Sequence, residues 1–380
     1  MSRKVKVAVV RAGERRKAVA WALALVADDL DACVTPRCLV KPNLVSHKYQ
    51  RPSTHADTLA ATLDALVDAG AADITVAEGA SDASAGFARF GLDRAASNFP
   101  ARFFDINRDE TEWEPLELRG VDGQTRVARV SRTVTSSPCR VSLALAKTHV
   151  TSGLTLSLKN MLSSIHPHDR VMMHGHAAGG NGAEGWKRHV VEFLKGDNAA
   201  VKHLTRLMGR VRNLQAGIKG RRLGGRDPFE ALTRSELGFL RSVEAMNHNL
   251  VDLAAKTKPH VSVVDGFLAM HREGPRHGTP LALRTVIAGT DAVAVDAVAA
   301  AVMGFDPRDF GFLVHAEEAG LGTADLAEIE IVGDPIAAVR RRCVPHSNHS
   351  VQRHWRRLSE SPALRSPHPA SARAAEGVSV

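Results

Sequence analysis

Short apolar runs alternate with amphipathic stretches along most of this chain. Val5–Val10 reads as a first strand and Arg15–Ala27 as a helix. Cys38–Lys41 is a short apolar run that stops at Lys41-Pro42-Asn43, where Pro42 keeps Lys41 extended. A helix follows, with Leu59, Leu63, Leu66 and Val67 on one face. Thr54 and Asp57 have the spacing of a capping box, and Gly70 stands where the helix should stop. Ile74–Ala77 is the next strand, ending at Glu78-Gly79. This β–α–β order predicts parallel pairing.

Phe103–Ile106 reads as a further strand, and residues 112–134 alternate about Asp122-Gly123 as a hairpin does. Val141–Ala146 is apolar on both faces, as a central strand of a covered sheet should be. Residues 184–256 are mainly helical in pattern. Within them Val201, Leu204, Leu207, Met208, Val211 and Leu214 form a stripe expected to pack on the body as a lid. Val261–Val264 is a strand ending at Asp265-Gly266. Gly274–Pro280 is a loop, and Leu283–Ala288 is another strand. Ala292–Met303 is a buried helix closed by Gly304, and Glu328–Val332 is a last strand. After Pro335 the periodicity fades. The expected organisation is an α/β domain over 1–335, a mainly parallel or mixed sheet flanked by helices, with a helical basic insertion at about 184–256. An Arg/Ser/Pro-rich tail over 345–380 is expected to be disordered.

Composition adds little until charge is located. The chain has 380 residues and a formal charge of +9. Residues 187–226 carry +9 and residues 340–380 carry +6, so the remainder carries −6. Those two segments could contact an acidic macromolecule. With 17 aromatic residues and one Tyr, a base-stacking platform is disfavoured. No apolar run of about 18 residues predicts a membrane span. The N-terminal stretch lacks a signal-peptide pattern, and a cytoplasmic protein is expected. Four scattered cysteines (Cys33, Cys38, Cys139, Cys343) without a CxxC pair argue against a zinc ribbon and an iron–sulfur cluster.

Chemistry concentrates where strands end. In a parallel α/β sheet, ligands collect beyond the carboxyl ends of strands. Lys41 with Asn43, Glu78, Lys147 with His149, and Asp265 all stand at such ends. If the strands are parallel neighbours, these groups share one crevice. Lys159 and Asn160 follow within the same dense stretch, Ala146–Asn160. The alternating Leu154, Leu156 and Leu158 fit a strand, whereas SLKNML fits a helix start. A lysine beside buried leucines needs an anionic partner or a lowered pKa. Such lysines bind anions or move protons, or else snorkel out of a core edge. Asp296, alone among apolar neighbours, is expected to pair with a site lysine, while Asp291 suits a helix N-terminus. His166, His168, His174 and His176 form an H-x-H…H-x-H pattern that either chelates a divalent metal or faces solvent in a loop. His271 and His277 border another loop and could face the crevice.

The stretches VKPNLVS at 40–46, AGAADITVAEGAS at 69–81, AKTHVTSGLTLSLKN at 146–160, VVDGFLAMHREGP at 263–275 and AGTDAVAVDAVAAAVMGFDP at 288–307 resemble a prokaryotic family known as domain of unknown function 362. The resemblance spans roughly residues 1–335. Many relatives carry ferredoxin-type cysteine motifs, which implies iron–sulfur electron transfer in them; this chain has none. The leading expectation is an enzyme acting on a small anionic metabolite. Lys147, His149, Lys159, Asp265 and Asp296 would supply catalysis, and Lys41, Asn43, Glu78, Asn160 and His271 would bind substrate. The alternatives are a non-catalytic binding protein using the basic helix and tail, and a redox accessory protein.

Overall fold

The computed structural model describes residues 4–110, 112–177, 199–222 and 227–360. Among them one ten-stranded sheet dominates. Its strands are β1 (Val5–Arg11), β2 (Arg37–Lys41), β3 (Asp73–Glu78), β4 (Ala101–Asp105), β7 (Cys139–His149), β8 (Gly153–Thr155), β9 (Val261–His271), β10 (Thr279–Leu281), β11 (Thr285–Gly289) and β12 (Ile329–Gly333). The order is β12-β1-β11-β9-β7-β2-β3-β4, with β10 beside β9 and β8 beside β7. β9, β7, β2, β3 and β4 run parallel, and so do β1 and β12. β11 is antiparallel to both of its neighbours, so the sheet is mixed. β5 (Trp113–Arg119) and β6 (Thr125–Ser131) form the hairpin expected around Asp122-Gly123.

Helices cover both faces, which is why the central strands read as unbroken apolar runs. On β7, Val141 and Leu143 face one core with helices α1 (Arg15–Ala24) and α2 (Ala56–Asp68). Ala144 and Ala146 face a second core, filled by residues from a long buried helix, Ala292–Val302. The expected capping box at Thr54 is corrected. His55 is the N-cap of α2 and accepts from the Asp57 N–H, whereas the Thr54 hydroxyl donates to the Leu143 carbonyl and accepts from the Asn43 N–H. A tertiary partner outcompetes the local one.

Two further expectations change. Of the insertion, residues 184–198 and 223–226 lie outside the described residues, as do 178–183 just before it. Within it lie α4 (Ala199–Arg222) and α5 (Arg234–Thr257), which come after the short helix α3 (Ser157–Asn160). The α4 stripe does not seat on the body. Val201 is buried, but Leu204, Leu207, Met208, Val211 and Leu214 are exposed. The tail folds further than its composition suggests. Beyond α6 (Ala292–Val302) and α7 (Gly311–Glu318) come α8 (His349–Gln352) and α9 (Trp355–Glu360). Val351, Trp355 and Leu358, spaced four and three apart, pack with Leu240 and Val243 of α5 in a third apolar cluster. Residues 361–380 lie outside the described residues. No described helix is long and apolar enough to cross a membrane.

Candidate functional site

β9, β7, β2 and β3 are consecutive parallel neighbours. Lys41 and Glu78 close β2 and β3, and β7 runs through Lys147 to end at His149. The expected strand end at Asp265 is corrected: β9 continues to His271, so Asp265 stands inside it, level with Leu145 of β7. The pairing is irregular between Leu145 and Lys147. After β7 the chain turns at Gly153, at φ +77°, where a Cβ would lie 2.6 Å from the Phe310 ring. This turn lets β8 run back along β7 and lead into α3, which carries Lys159 and Asn160. Lys159 is therefore helical, resolving the two open readings.

Lys41 and Glu78 form a closed pair. Both side chains are fully buried, and the Lys41 ammonium lies 3.0 Å from each carboxylate oxygen. Glu78 also accepts from the N–H groups of Leu44, Gly79 and Ala80 and from the Ser163 hydroxyl. Gly79 is required for this approach, because a Cβ there would sit 2.3 Å from the Ser163 carbonyl. Burial lowers the Lys41 pKa, and Glu78 works against that shift.

Among the described residues Lys147 has no carboxylate partner. Its fully buried ammonium donates to the Asn43 side-chain carbonyl and to the Pro52 carbonyl. Asn43 donates in turn to the Asn160 amide oxygen, and Asn160 donates to the Lys41 carbonyl and the Ser142 hydroxyl. This amide relay fixes both asparagines and leaves the lysine charge uncompensated. Burial, then the neighbouring Lys159, holds Lys147 well below the usual lysine range.

Lys159 is the exposed counterpart only in degree: 8 % of it reaches solvent. Among the described residues its ammonium has no hydrogen-bond or ion-pair partner. Burial pushes its pKa down to about 7. His149 lies beside it. Its Nδ1 accepts the N–H groups of Thr151 and Ser152, so a neutral ring carries its proton on Nε2. Burial and Lys159 hold this ring well below its usual pKa, hence neutral. His174 stacks on His149 with centroids 6.4 Å apart and contacts the Thr151 hydroxyl; burial pushes it down to about 3.

Other expected residues serve elsewhere. Among the described residues Asp296 does not pair with a lysine. It accepts the Ser157 and Leu158 N–H groups at 2.7 and 2.9 Å and so holds the start of α3. Burial raises its pKa to about 8 against those two bonds. Asp291 caps α6, as expected. Asp265 is taken by Arg15, by the Thr58 hydroxyl and by the Phe267 N–H, under α1 and α2. His271 accepts the Val344 N–H and acts as a backbone anchor.

The four tandem histidines do not converge on a metal. His166 packs on Trp113 and contacts Arg129, with His168 beside it, while His174 faces His149 and His176 faces Ser242. A 3-10 turn over Arg170–His174 and Gly175 in the left-handed region break the extended geometry that chelation by alternate residues needs. Sequence reasoning missed Arg170, which donates to Asn107 and the Ser163 carbonyl near Glu78, and Gln352. The Gln352 amide donates to the carbonyls of His149, Val150 and Thr151.

No curated protein matches the chain. A solved structure of the lactate racemase apoprotein from Thermoanaerobacterium thermosaccharolyticum is similar at a TM-score of 0.39 and 14% identity, over 78% of this chain. The chain spans 57% of that protein's length. The family model described as Domain of unknown function (DUF362) matches residues 38–301, which contain every strand end of the cluster; the chain belongs to that family.

Proposed function

We propose that the chain is an enzyme that binds a small anionic metabolite at the edge formed by β7, β2 and α3, and moves a proton on it. One observation carries this reading: Lys159, nine-tenths buried, has no partner among the described residues. An ammonium on so buried a side chain is costly without an anion, and among the described residues Glu78 is already bonded to Lys41 and Asp265 to Arg15. An anionic ligand would supply the missing charge.

The roles follow from donor counts. Lys147 in its protonated form uses two of three donors on Asn43 and Pro52, leaving one for the ligand. His149 offers Nε2–H as a neutral hydrogen-bond donor. Lys159, with its pKa at about 7, gives and takes a proton readily near neutral pH, as general acid–base catalysis requires. Proton transfer next to a carbonyl suits this set. Lys41 and Glu78 keep the strand ends in register, and Asn43 and Asn160 orient Lys147.

Anion binding should raise the Lys159 pKa and so take up protons at pH 8. Calorimetry of a panel of small carboxylates and phosphates, repeated in buffers of different ionisation enthalpy, measures that uptake. The expected result is saturable binding of at least one anion with proton uptake, and loss of that uptake in Lys159→Met. If no anion binds the intact chain, or if Lys159→Met binds with unchanged uptake, the assignment is wrong.

A further inference from the structure

Glu244 and His248 lie one turn apart on α5, and His315 lies on α7, which packs against it. Ligand atoms of the three residues lie within 4.8 Å of one another, and no other such group of three His, Cys, Asp or Glu occurs among the described residues. His248 Nε2 is 2.9 Å and His315 Nε2 3.7 Å from the same Glu244 oxygen. The two imidazoles stack, with centroids 4.3 Å apart and planes 13° apart, so both present Nε2 toward that oxygen. The ring of Trp355 closes one side of His315.

The second nitrogen of His315 decides what belongs there. Its Nδ1 lies 2.9 Å from Glu318 Oε2, and the N–H therefore points at that carboxylate. A neutral imidazole has one N–H, so Nε2 is then a bare lone pair. This Nε2 is buried and makes no hydrogen bond. A lone pair facing a carboxylate oxygen at 3.7 Å needs a cation, either a proton on the ring or a metal ion. A histidine whose far N–H is held by a carboxylate is the arrangement that orients metal-binding imidazoles. Zinc bound tetrahedrally at about 2.0–2.2 Å from N and O donors sets neighbouring donors roughly 3.3–3.6 Å apart. The observed 2.9 and 3.7 Å bracket that spacing, and the stacked imidazoles would have to rotate out of parallel to aim both lone pairs at one ion.

We propose that Glu244, His248 and His315 bind one Zn2+, with Glu318 orienting His315 and a water filling the fourth position. The ion would tie α5 to α7 beside the C-terminal helix α9. None of these residues belongs to the strand-end cluster, so the proposal is independent of the function proposed above.

The test uses the full chain, stripped with chelator and desalted, at pH 7.5. Zn2+ calorimetry should give one high-affinity site per chain. Co2+ should give the visible absorption of a four-coordinate N/O site, and Zn2+ should raise the melting temperature. His248→Ala and His315→Ala should each weaken binding by more than about tenfold, and Glu318→Gln by about tenfold. A His166→Ala/His168→Ala double variant should bind as the intact chain does. Should His315→Ala fail to fold, the more exposed His248→Ala decides. Absence of a saturable site in the intact chain means the cation is a proton and overturns the proposal. Binding unchanged in the folded His248 and His315 variants overturns it as well.

Discussion

Lys41 and Lys159 are both buried at the same edge of the sheet, and they are opposites. Lys41 faces a carboxylate with both oxygens at 3.0 Å, and that carboxylate is bonded by three backbone N–H groups and a hydroxyl besides. Lys159 has no hydrogen-bond or ion-pair partner among the described residues. A buried charge with a complete partner shell holds structure; a buried charge without one costs stability that only a ligand recovers. The burial of a lysine is therefore uninformative by itself, and its partner list separates the two roles.

The sharpest way to break this contrast is to remove the partner of Lys41. Glu78→Gln leaves a buried ammonium uncompensated and should cost about 3–5 kcal/mol of unfolding free energy in urea. Lys159→Met should cost little or stabilise, since no bond is lost. A loss below about 1 kcal/mol for Glu78→Gln would make the two lysines equivalent.

A second effect is read against pH. The folded pKa of Lys159, about 7, lies below its ordinary 10.5. Between those values the unfolded chain holds a proton that the folded chain lacks. Stability contributed by this residue therefore rises with pH across that window, by up to about 1.4 kcal/mol per pH unit. The difference between the urea stabilities of the intact chain and Lys159→Met should show that slope from pH 7 to 10. A flat difference would mean that Lys159 titrates as an ordinary lysine. Lys41 shifts the same way and cancels in the difference, whereas Lys147, which Lys159 itself helps to lower, is relieved in Lys159→Met and adds to the slope.

The smallest effect belongs to Gln352. Its amide serves carbonyls in the turn after β7, so Gln352→Ala should cost about 1 kcal/mol. Amide exchange should quicken at Thr151 and Ser152 more than in β2. Uniform exchange would show that the turn holds itself.

Much of the strand-end cluster was legible because apolar runs covered on both faces stop abruptly at charged residues. Lys41 and Glu78 end their strands as those runs predict and Lys147 lies near the end of β7, in parallel neighbours, whereas Asp265 stands inside β9, which continues to His271. Partners were not legible. Asp296 meets backbone N–H groups, which a sequence does not display, and Arg170 comes from a 3-10 turn without a usable period. Thr54 has the spacing of a cap and is claimed instead by Leu143, 89 residues away. The tail carried a readable helical spacing at Val351, Trp355 and Leu358, but its Arg, Ser and Pro content outweighed three apolar residues. The alternation in the α4 stripe was real, yet periodicity gives a face without saying what covers it.

The Gln352 amide reaches back 203 residues to the His149 carbonyl. During synthesis, β2, β3 and β7 leave the ribosome long before Gln352 is made, so sheet pairing can begin while the turn beside His149 still has its carbonyls in water. The order of assembly is thus scaffold first and the turn beside His149 last. A chain cut between residues 335 and 352 would retain every strand of the sheet and lose the Gln352 clasp over that turn.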